Sequence, residues 1–249
     1  MSPTDAARAR AELEKLLLGE PAIAATLPAD FLGHVQHFLE LLLEANQRHN
    51  LTRLTAPDDV ARLHLMDALA ALPILDRLHP HDAIDLGSGG GLPALPLAMA
   101  RPDVEWTLVD SVGKKAAALR DFAGALDLRN VTVLAERAEV LGQDARHRER
   151  HALVTARACA PLPVLAELAL PLLAIGGSLV AWKGPLREGD EELQRGRVAI
   201  ARLGGGGLQI VDPGLPALGG HRFVVVPKER ATPSGFPRRP GQPARRPLG

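Results

Sequence analysis

The sequence predicts an α/β protein whose mostly parallel, Rossmann-like sheet ends in an antiparallel strand and is preceded by a helical extension. Two observations predict this class. From residue 82 onward, short apolar segments alternate with helical stretches, which is typical of a parallel sheet covered by helices. The first of these segments runs directly into a glycine cluster, and such a strand-to-helix turn is where open α/β sheets bind ligands.

The composition is that of a globular protein. Of the 249 residues, 46% are apolar and 23% are charged, so the chain can bury a substantial core. A single cysteine, Cys159, excludes an internal disulfide and fits a reducing compartment. The longest apolar stretch, 164–182, is broken by an acid, a proline and a glycine pair, so it predicts helix, turn and strand rather than a membrane span. We therefore expect a soluble, cytoplasmic protein, and a monomer.

Residues 1–79 predict a helical N-terminal cap. One helix is indicated by apolar residues at intervals of three and four, namely Leu32, Val35, Phe38, Leu39 and Leu42. A second helix is predicted to begin at Thr55, a cap-type residue ahead of the first-turn Pro57, and to run to Pro73.

Residues 80–227 predict the domain that contains the sheet. Its parallel strands are expected at five apolar segments: Ala83–Leu86, Glu105–Val109, Val131–Leu134, Leu153–Ala156 and Ser178–Trp182. Two further segments, Leu208–Val211 and Arg222–Pro227, are separated by a Pro-Gly pair, which favours a hairpin-like ending. Residues 228–249 are expected to form a basic, proline-rich tail.

The glycine cluster discriminates between cofactors. Its pattern is G-x-G-x-G, with Gly87, Gly89 and Gly91, whereas a dinucleotide loop would require a third glycine at position 92, which is Leu92. No G-x-x-x-x-G-K-[ST] phosphate loop occurs. The pattern resembles the first motif of class I methyltransferases, which use S-adenosylmethionine; the alternative is a plain glycine turn.

The second predicted strand ends in Asp110, 23 residues beyond Gly87. A carboxylate about 20 residues after such a loop is placed to accept hydrogen bonds from ribose hydroxyls. The alternative role is to cap the helix that begins near Ser111, and the two roles are compatible.

An ordered series of motifs resembles the RsmG (glucose-inhibited division protein B) family from about Asn50 to the C-terminus. The series consists of Asn50-Leu-Thr, Arg62-Leu-His64-Leu-Met-Asp67, Asp85-Leu-Gly-Ser-Gly-Gly-Gly-Leu-Pro, Leu108-Val-Asp-Ser-Val-Gly-Lys-Lys, Arg137-Ala-Glu, Ala156-Arg-Ala, Trp182-Lys-Gly and Pro237-Arg-Arg-Pro-Gly. The resemblance implies an S-adenosylmethionine-dependent enzyme that methylates N7 of a guanine in the 530 loop of 16S ribosomal RNA, in the small subunit or an assembly intermediate.

The resemblance also implies site residues. Expected cofactor contacts come from the glycine loop (Gly87, Gly89, Gly91, Leu92), from Asp110 on the ribose, from Ala138 and Glu139 beside the adenine, and from Arg157 beside the methionine portion or the substrate. For Arg157 the alternative is a structural ion pair.

The expected chemistry requires orientation rather than a general base. N7 of guanine has a lone pair and loses no proton when it is methylated. Arg157 and Lys183 are the candidate catalytic residues, as donors to guanine O6. Carbon-5 methylation of pyrimidines would need a cysteine nucleophile, and we expect Cys159 to be small, inert, buried packing instead.

The charge distribution favours an RNA partner although the net charge is zero. Residues 228–249 contain six basic residues and one acid. The candidate RNA-binding residues are Arg62, His64, Lys183, Arg238, Arg239, Arg245 and Arg246. The alternative for the tail is a solvated, disordered segment. His64 and Asp67 lie three residues apart but lack a third ligand, so no metal site is expected.

Three other functions stay open at this level. A methyltransferase acting on a small molecule or a protein would turn over without the basic tail. A non-catalytic, ribosome-associated RNA-binding protein would not bind the cofactor. A nicotinamide-dependent dehydrogenase is disfavoured by Leu92.

Overall fold

The computed structural model describes residues 3–187 and 189–249, so the first two residues of the predicted cap lie outside the described part. These residues form two compact units. Unit 1 contains the chain up to His79 together with Ser88–Ala135 and Leu215–Gly219, and unit 2 contains Pro80–Gly87, Glu136–Gly214 and Gly220–Gly249. None of the helices within the described residues has both the length and the apolar character that a membrane crossing requires.

The helices follow in chain order. They are α1 (Pro3–Leu18), α2 (Pro21–Ala24), α3 (Phe31–His49), α4 (Pro57–Val60), α5 (Asp67–Leu69), α6 (Leu72–Leu78), α7 (Ala94–Ala100), α8 (Gly113–Ala125), α9 (Ala138–Leu141), α10 (Leu162–Ala169), α11 (Glu191–Arg202) and α12 (Gln242–Arg245). A π-helical segment, Ala61–Met66, joins α4 to α5.

The strands are β1 (Asp82–Leu86), β2 (Glu105–Val109), β3 (Val131–Leu134), β4 (His151–Arg157), β5 (Leu173–Lys183), β6 (Gln209–Val211) and β7 (Arg222–Pro227). Their order is β3-β2-β1-β4-β5-β7-β6. The pairs β2–β3, β1–β4 and β4–β5 are parallel, and β7 pairs antiparallel with β5 and with β6. The predicted parallel sheet with an antiparallel strand at its C-terminal end and a hairpin-like ending is confirmed.

The two predicted helices of the cap are present, but the second is interrupted by the π-helical segment Ala61–Met66 and ends at Leu69, and Pro73 lies in the first turn of α6. The apolar face of α3 buries Val35, Phe38, Leu39 and Leu42, as its periodicity predicts. The N-cap of the second helix is Ala56, one residue later than the expected Thr55, and Ala56 is extended and makes no side-chain cap bond. Thr55 is therefore one position too early to cap it.

The C-terminal segment, residues 228–249, is docked onto unit 2. Lys228 is 1% exposed. Its ammonium donates to the carbonyls of Leu170 and Leu203 at 2.7 and 3.2 Å and to the hydroxyl of Thr232. The guanidinium of Arg148 donates to backbone carbonyls of the same segment, those of Thr232 at 2.8 Å and Phe236 at 2.6 Å. These bonds satisfy backbone groups that a solvated tail would leave to water.

A buried ion pair fixes the middle of this segment. Glu167 of α10 has a fully buried side chain, and Arg238 donates to both of its oxygens, with the Nε bond at 2.7 Å. The backbone N–H of Arg238 also donates to Glu167, at 2.9 Å. A bidentate pair with a backbone bond is the geometry in which a buried carboxylate is well satisfied.

The neighbouring arginines 238 and 239 are expected to differ in their effect on stability. Arg238→Ala leaves the carboxylate of Glu167 buried without its partner, so we expect the free energy of unfolding to fall by about 3–5 kcal/mol. Arg239→Ala changes an exposed residue and is the matched control, with an expected change within about 0.5 kcal/mol. Urea denaturation of the three proteins measures both values, and equal losses would contradict the assignment.

We expect Lys228 to make the free energy of unfolding depend on pH between about 8 and 10.5. Burial lowers its pKa to about 8 from the usual 10.5, although Glu149 partly opposes this shift. Between those values the unfolded chain holds a proton that the folded protein has released, so stability rises with pH. Relative to Lys228→Met, the wild-type free energy of unfolding should increase by up to about 3 kcal/mol across this window. If urea titrations gave wild type and Lys228→Met the same dependence of the free energy of unfolding on pH, the prediction would be refuted.

Candidate functional site

In unit 1, the glycine loop is hydrogen bonded to the end of β2 through Ser88. The backbone N–H of Ser88 donates to the carbonyl of Val109 at 3.0 Å, and its hydroxyl accepts the Val109 N–H at 3.2 Å. The carbonyl of Ser88 accepts the N–H of Gly91 at 2.7 Å, which closes a tight turn. Ser88 is 2% exposed, so the loop is anchored by a buried side chain. The sequence analysis did not single out this serine, although it lies inside the motif.

Two glycines of this loop are required by its backbone conformation. Gly89 and Gly91 have φ angles of +56° and +88°, in the region that side chains disfavour. A β-carbon on Gly91 would also overlap the side chain of Leu95. Glycine is therefore needed at both positions for the chain to form this turn.

Asp110 is joined to the same loop by its carboxylate. One oxygen accepts the N–H of Gly89 at 3.0 Å, and the other accepts the N–H of Val112 at 2.8 Å. Asp110 is 6% exposed. Each carboxylate oxygen has two acceptor positions, so these bonds leave acceptor capacity for ribose hydroxyls. The alternative role as a helix cap is not seen, because the N-cap of α8 is Val112 and no side chain caps that helix.

In unit 2, Gly87 at the end of β1 lies against Cys159. A β-carbon on Gly87 would lie 3.1 Å from the Cys159 Sγ, and the φ of Gly87 is +71°. Cys159 is exposed, so the expectation that it is buried packing was wrong. The physical reason is its place in the irregular turn beyond β4, where Ala158 has a φ of +51° and the chain has left the sheet.

A buried polar pair accompanies β1 and β4. The hydroxyl of Thr155 donates to Asp85 at 2.7 Å, and the two residues are 0% and 1% exposed. Sequence reasoning quoted Asp85 within the glycine motif but assigned it no role. Since its partner lies 70 residues away on another strand, the pairing has no local signal in the sequence.

The candidate catalytic residues occupy strand ends in unit 2. Arg157 is the last residue of β4 and is half-buried, in register with Trp182 of β5. Lys183 is the last residue of β5, and its ammonium donates to Glu192 at 2.6 Å and to the carbonyl of Ala160 at 3.0 Å. Two of the three ammonium donors of Lys183 are therefore engaged.

Glu192, which sequence reasoning missed, organises the turn beyond β4. It accepts from Lys183 and also from the N–H of Leu162 at 2.8 Å. Burial alone would raise its pKa, but the bonds from Lys183 and Leu162 outweigh burial and hold the pKa of Glu192 below its usual value. The carboxylate therefore stays charged and keeps Lys183 and the start of α10 together.

Ala138 and Glu139 begin α9, where the resemblance places the adenine. Ala138 is half-buried and Glu139 is 9% exposed. The carboxylate of Glu139 accepts the N–H of Gly241 from the docked C-terminal segment at 2.8 Å. This bond engages one oxygen of the Glu139 carboxylate and joins α9 to the C-terminal segment.

The predicted RNA-binding residues divide by exposure. His64 is 6% exposed, and its Nε2 lies 2.6 Å from the hydroxyl of Thr52. Arg62 is partly exposed and donates to Asp59 at 3.1 Å and to the carbonyl of Ala217 at 3.2 Å. Arg238 is engaged with Glu167, as described above. The exposed members of the set are Arg239, Arg245 and Arg246.

The comparisons with known proteins identify the family. The family model described as GidB, rRNA small subunit methyltransferase G, matches residues 32–206. The chain belongs to this family. The matched stretch spans the glycine loop, Asp110, Arg157 and Lys183, and it ends before the exposed arginines at 239, 245 and 246.

Curated relatives of this GidB family member cover most of its length. The ribosomal RNA small subunit methyltransferase G of Deinococcus radiodurans is 45% identical over 229 residues, 90% of each chain. The protein of the same name from Roseiflexus castenholzii is 46% identical over 204 residues, 82% of this chain and 86% of the relative.

Solved structures confirm the fold class of the family member. The CMeT domain of the citrinin polyketide synthase matches with a TM-score of 0.55 at 13% identity, covering 88% of this chain and 69% of that one. The S-adenosylmethionine-dependent methyltransferase SibL matches with a TM-score of 0.54 at 15% identity, covering 81% and 77%. The Rossmann-like class I methyltransferase fold predicted from the sequence is therefore confirmed.

The glycine loop supplies a stability prediction with an internal control. Gly91→Ala forces a side chain into a φ of +88° and against Leu95, so we expect a loss of about 2–4 kcal/mol. Gly113→Ala, at the first position of α8, meets no atom within 4 Å and should be neutral or stabilising. Thermal or urea unfolding measures both. Comparable losses in the two variants would contradict the assigned strain.

Proposed function

We propose that the protein transfers a methyl group from S-adenosylmethionine to N7 of a guanine in the 530 loop of 16S ribosomal RNA. The observation that carries the proposal is the match to the small-subunit rRNA methyltransferase family over residues 32–206, which spans the loop and strand ends described above. The relatives named above are called ribosomal RNA small subunit methyltransferase G, and they align with 82–90% of this chain.

The residues present fit S-adenosylmethionine. The glycines at positions 89 and 91 allow the positive φ angles of the loop, and Asp110 keeps acceptor capacity for ribose hydroxyls. The proposed cofactor contacts are Gly87, Gly89, Gly91, Leu92, Asp110, Ala138, Glu139 and Arg157. When bound, the cofactor supplies an electrophilic methyl group.

The chain itself contributes position rather than proton transfer. N7 carries its lone pair already and loses no proton, so no general base is needed. Holding two reactants in line can contribute about 7–11 kcal/mol to catalysis. Arg157 and Lys183 are proposed to donate to guanine O6, and the bonds of Lys183 to Glu192 and Ala160 restrict where its ammonium can lie.

RNA binding is proposed to depend on exposed arginines. Arg239, Arg245, Arg246 and Arg62 are proposed to pair with phosphates. Arg238 and His64 are engaged within the protein, with Glu167 and Thr52 respectively. Since phosphate pairing releases counterions, binding should weaken as the salt concentration rises. We further propose that the protein acts as a monomer.

The deciding experiment measures transfer of labelled methyl to small-subunit RNA and subunits from a strain that lacks the family enzyme, with the modified base mapped. We expect label on N7 of one guanine in the 530 loop. Asp110→Ala should weaken cofactor binding roughly 10- to 150-fold, because hydrogen bonds to a charged group contribute about 1.5–3 kcal/mol. The matched control is Asp103→Ala, which changes an exposed aspartate just before β2 and should leave cofactor binding as in the wild type.

The outcomes separate the alternatives. Label on another atom of the RNA would refute the N7 assignment alone. Tight cofactor binding without label on RNA or subunits would favour a small-molecule or protein substrate. RNA binding without cofactor binding, by calorimetry, would favour a non-catalytic RNA-binding protein.

A further inference from the structure

A groove of about 620 Å³ lies in unit 2 between α9 and the docked C-terminal segment. Val140, Pro237 and Pro240 give it apolar walls, and Gln143 and Arg239 are among its polar lining residues. The side chain of Val140 is 40% exposed, so it is accessible to an occupant of the groove. The volume lies within the range of about 300–1,000 Å³ that is typical of small-ligand pockets.

The walls of this groove are held in place by hydrogen bonds. Glu139 accepts the N–H of Gly241 at 2.8 Å, and Gln143 donates to the carbonyl of Pro237 at 2.8 Å. Arg238 pairs with Glu167 directly beneath the segment. The groove is therefore a preformed site rather than a gap beside a loose tail, which lowers the entropic cost of binding.

Of the charged residues that line the groove, Glu139, Arg238 and Arg239, only Arg239 is exposed, and its charge favours an anionic occupant. Residues 230–249 contain five arginines and no acidic residue. The acid that lines the groove, Glu139, already accepts a backbone N–H. Arg239 is exposed, and a guanidinium of this kind recognises phosphate. An apolar cleft beside such a group suits a nucleotide, whose base is apolar on its faces and whose phosphate is charged.

We propose that this groove holds one unstacked nucleotide of single-stranded rRNA that flanks the target guanine. Its base packs against Val140, Pro237 and Pro240, and its phosphate pairs with Arg239. RNA is recognised largely through single-stranded segments whose bases are splayed out of the stack. The site lies on α9, the short helix whose first residues are proposed to border the cofactor. The inference rests on the proposed function, because it names where that substrate binds.

Photocrosslinking tests the occupant directly. Benzoylphenylalanine placed at Val140 should crosslink to unmodified 16S rRNA at a position near the 530 loop. The matched control is the same residue at Val198, a 58%-exposed apolar position on α11 outside the groove, which should not crosslink there. Equal crosslinking at the two positions, or none at Val140 while the rRNA is bound, would overturn the proposal. So would a crosslink from Val140 to a ribosomal protein in small subunits.

Substitution of Arg239 tests the phosphate contact. Arg239→Gln should raise the KM for rRNA severalfold and leave kcat unchanged, since the contact is remote from the methyl group. The slope of log Kd against log salt should fall by about one. Arg150→Gln, an exposed arginine at the other end of β4, should change neither quantity. An unchanged salt slope in Arg239→Gln would refute the contact.

Failure of this inference is distinguishable from failure of the proposed function. Methyl transfer to rRNA without a Val140 crosslink overturns the groove and keeps the function. Crosslinking and binding are measured without turnover, so the groove is decided even if no methyl transfer occurs.

Discussion

The attachment of the glycine loop to the end of β2 is the constraint on which the candidate cofactor site depends. Ser88 and Asp110 bond to the backbone of partners 21 residues away, Val109 and Gly89. These bonds hold Gly89 in a left-handed conformation that would otherwise be one of many for a glycine. A carboxylate assigned to the ribose therefore also shapes the loop, so a substitution of Asp110 acts on both.

The basic residues of the C-terminal segment have two different roles, in docking the segment and in forming its exposed surface. Lys228 and Arg238 satisfy buried acceptors and dock the segment, whereas Arg239, Arg245 and Arg246 are exposed. Docking costs conformational entropy, and the buried Glu167 and the backbone carbonyls provide the bonds that offset it. A rigid segment presents its exposed arginines in fixed positions, which a disordered basic tail could not do.

Polar networks in unit 2 include one of the proposed substrate contacts, Lys183. Lys183 is bonded to Glu192 and Ala160, and Asp85 is bonded to Thr155. Each contact joins residues from different elements of unit 2. Substitution of Lys183 would break such a network as well as remove a proposed substrate contact. The stability of each variant therefore has to be measured together with its activity.

The sequence by itself determined the fold class and the position of the glycine loop. Alternation of apolar segments, the G-x-G-x-G spacing and the acid 23 residues later are local patterns, and β2, β3 and β7 begin and end where those patterns predict. Tertiary structure alone decided which polar side chains are exposed and which are paired within the protein. Cys159 is exposed because the turn after β4 leaves the sheet, and Arg238 differs from Arg239 only because Glu167, 71 residues away, is buried beneath it. Burial and pairing between distant residues have no local signal, so identical neighbours in sequence acquire opposite roles.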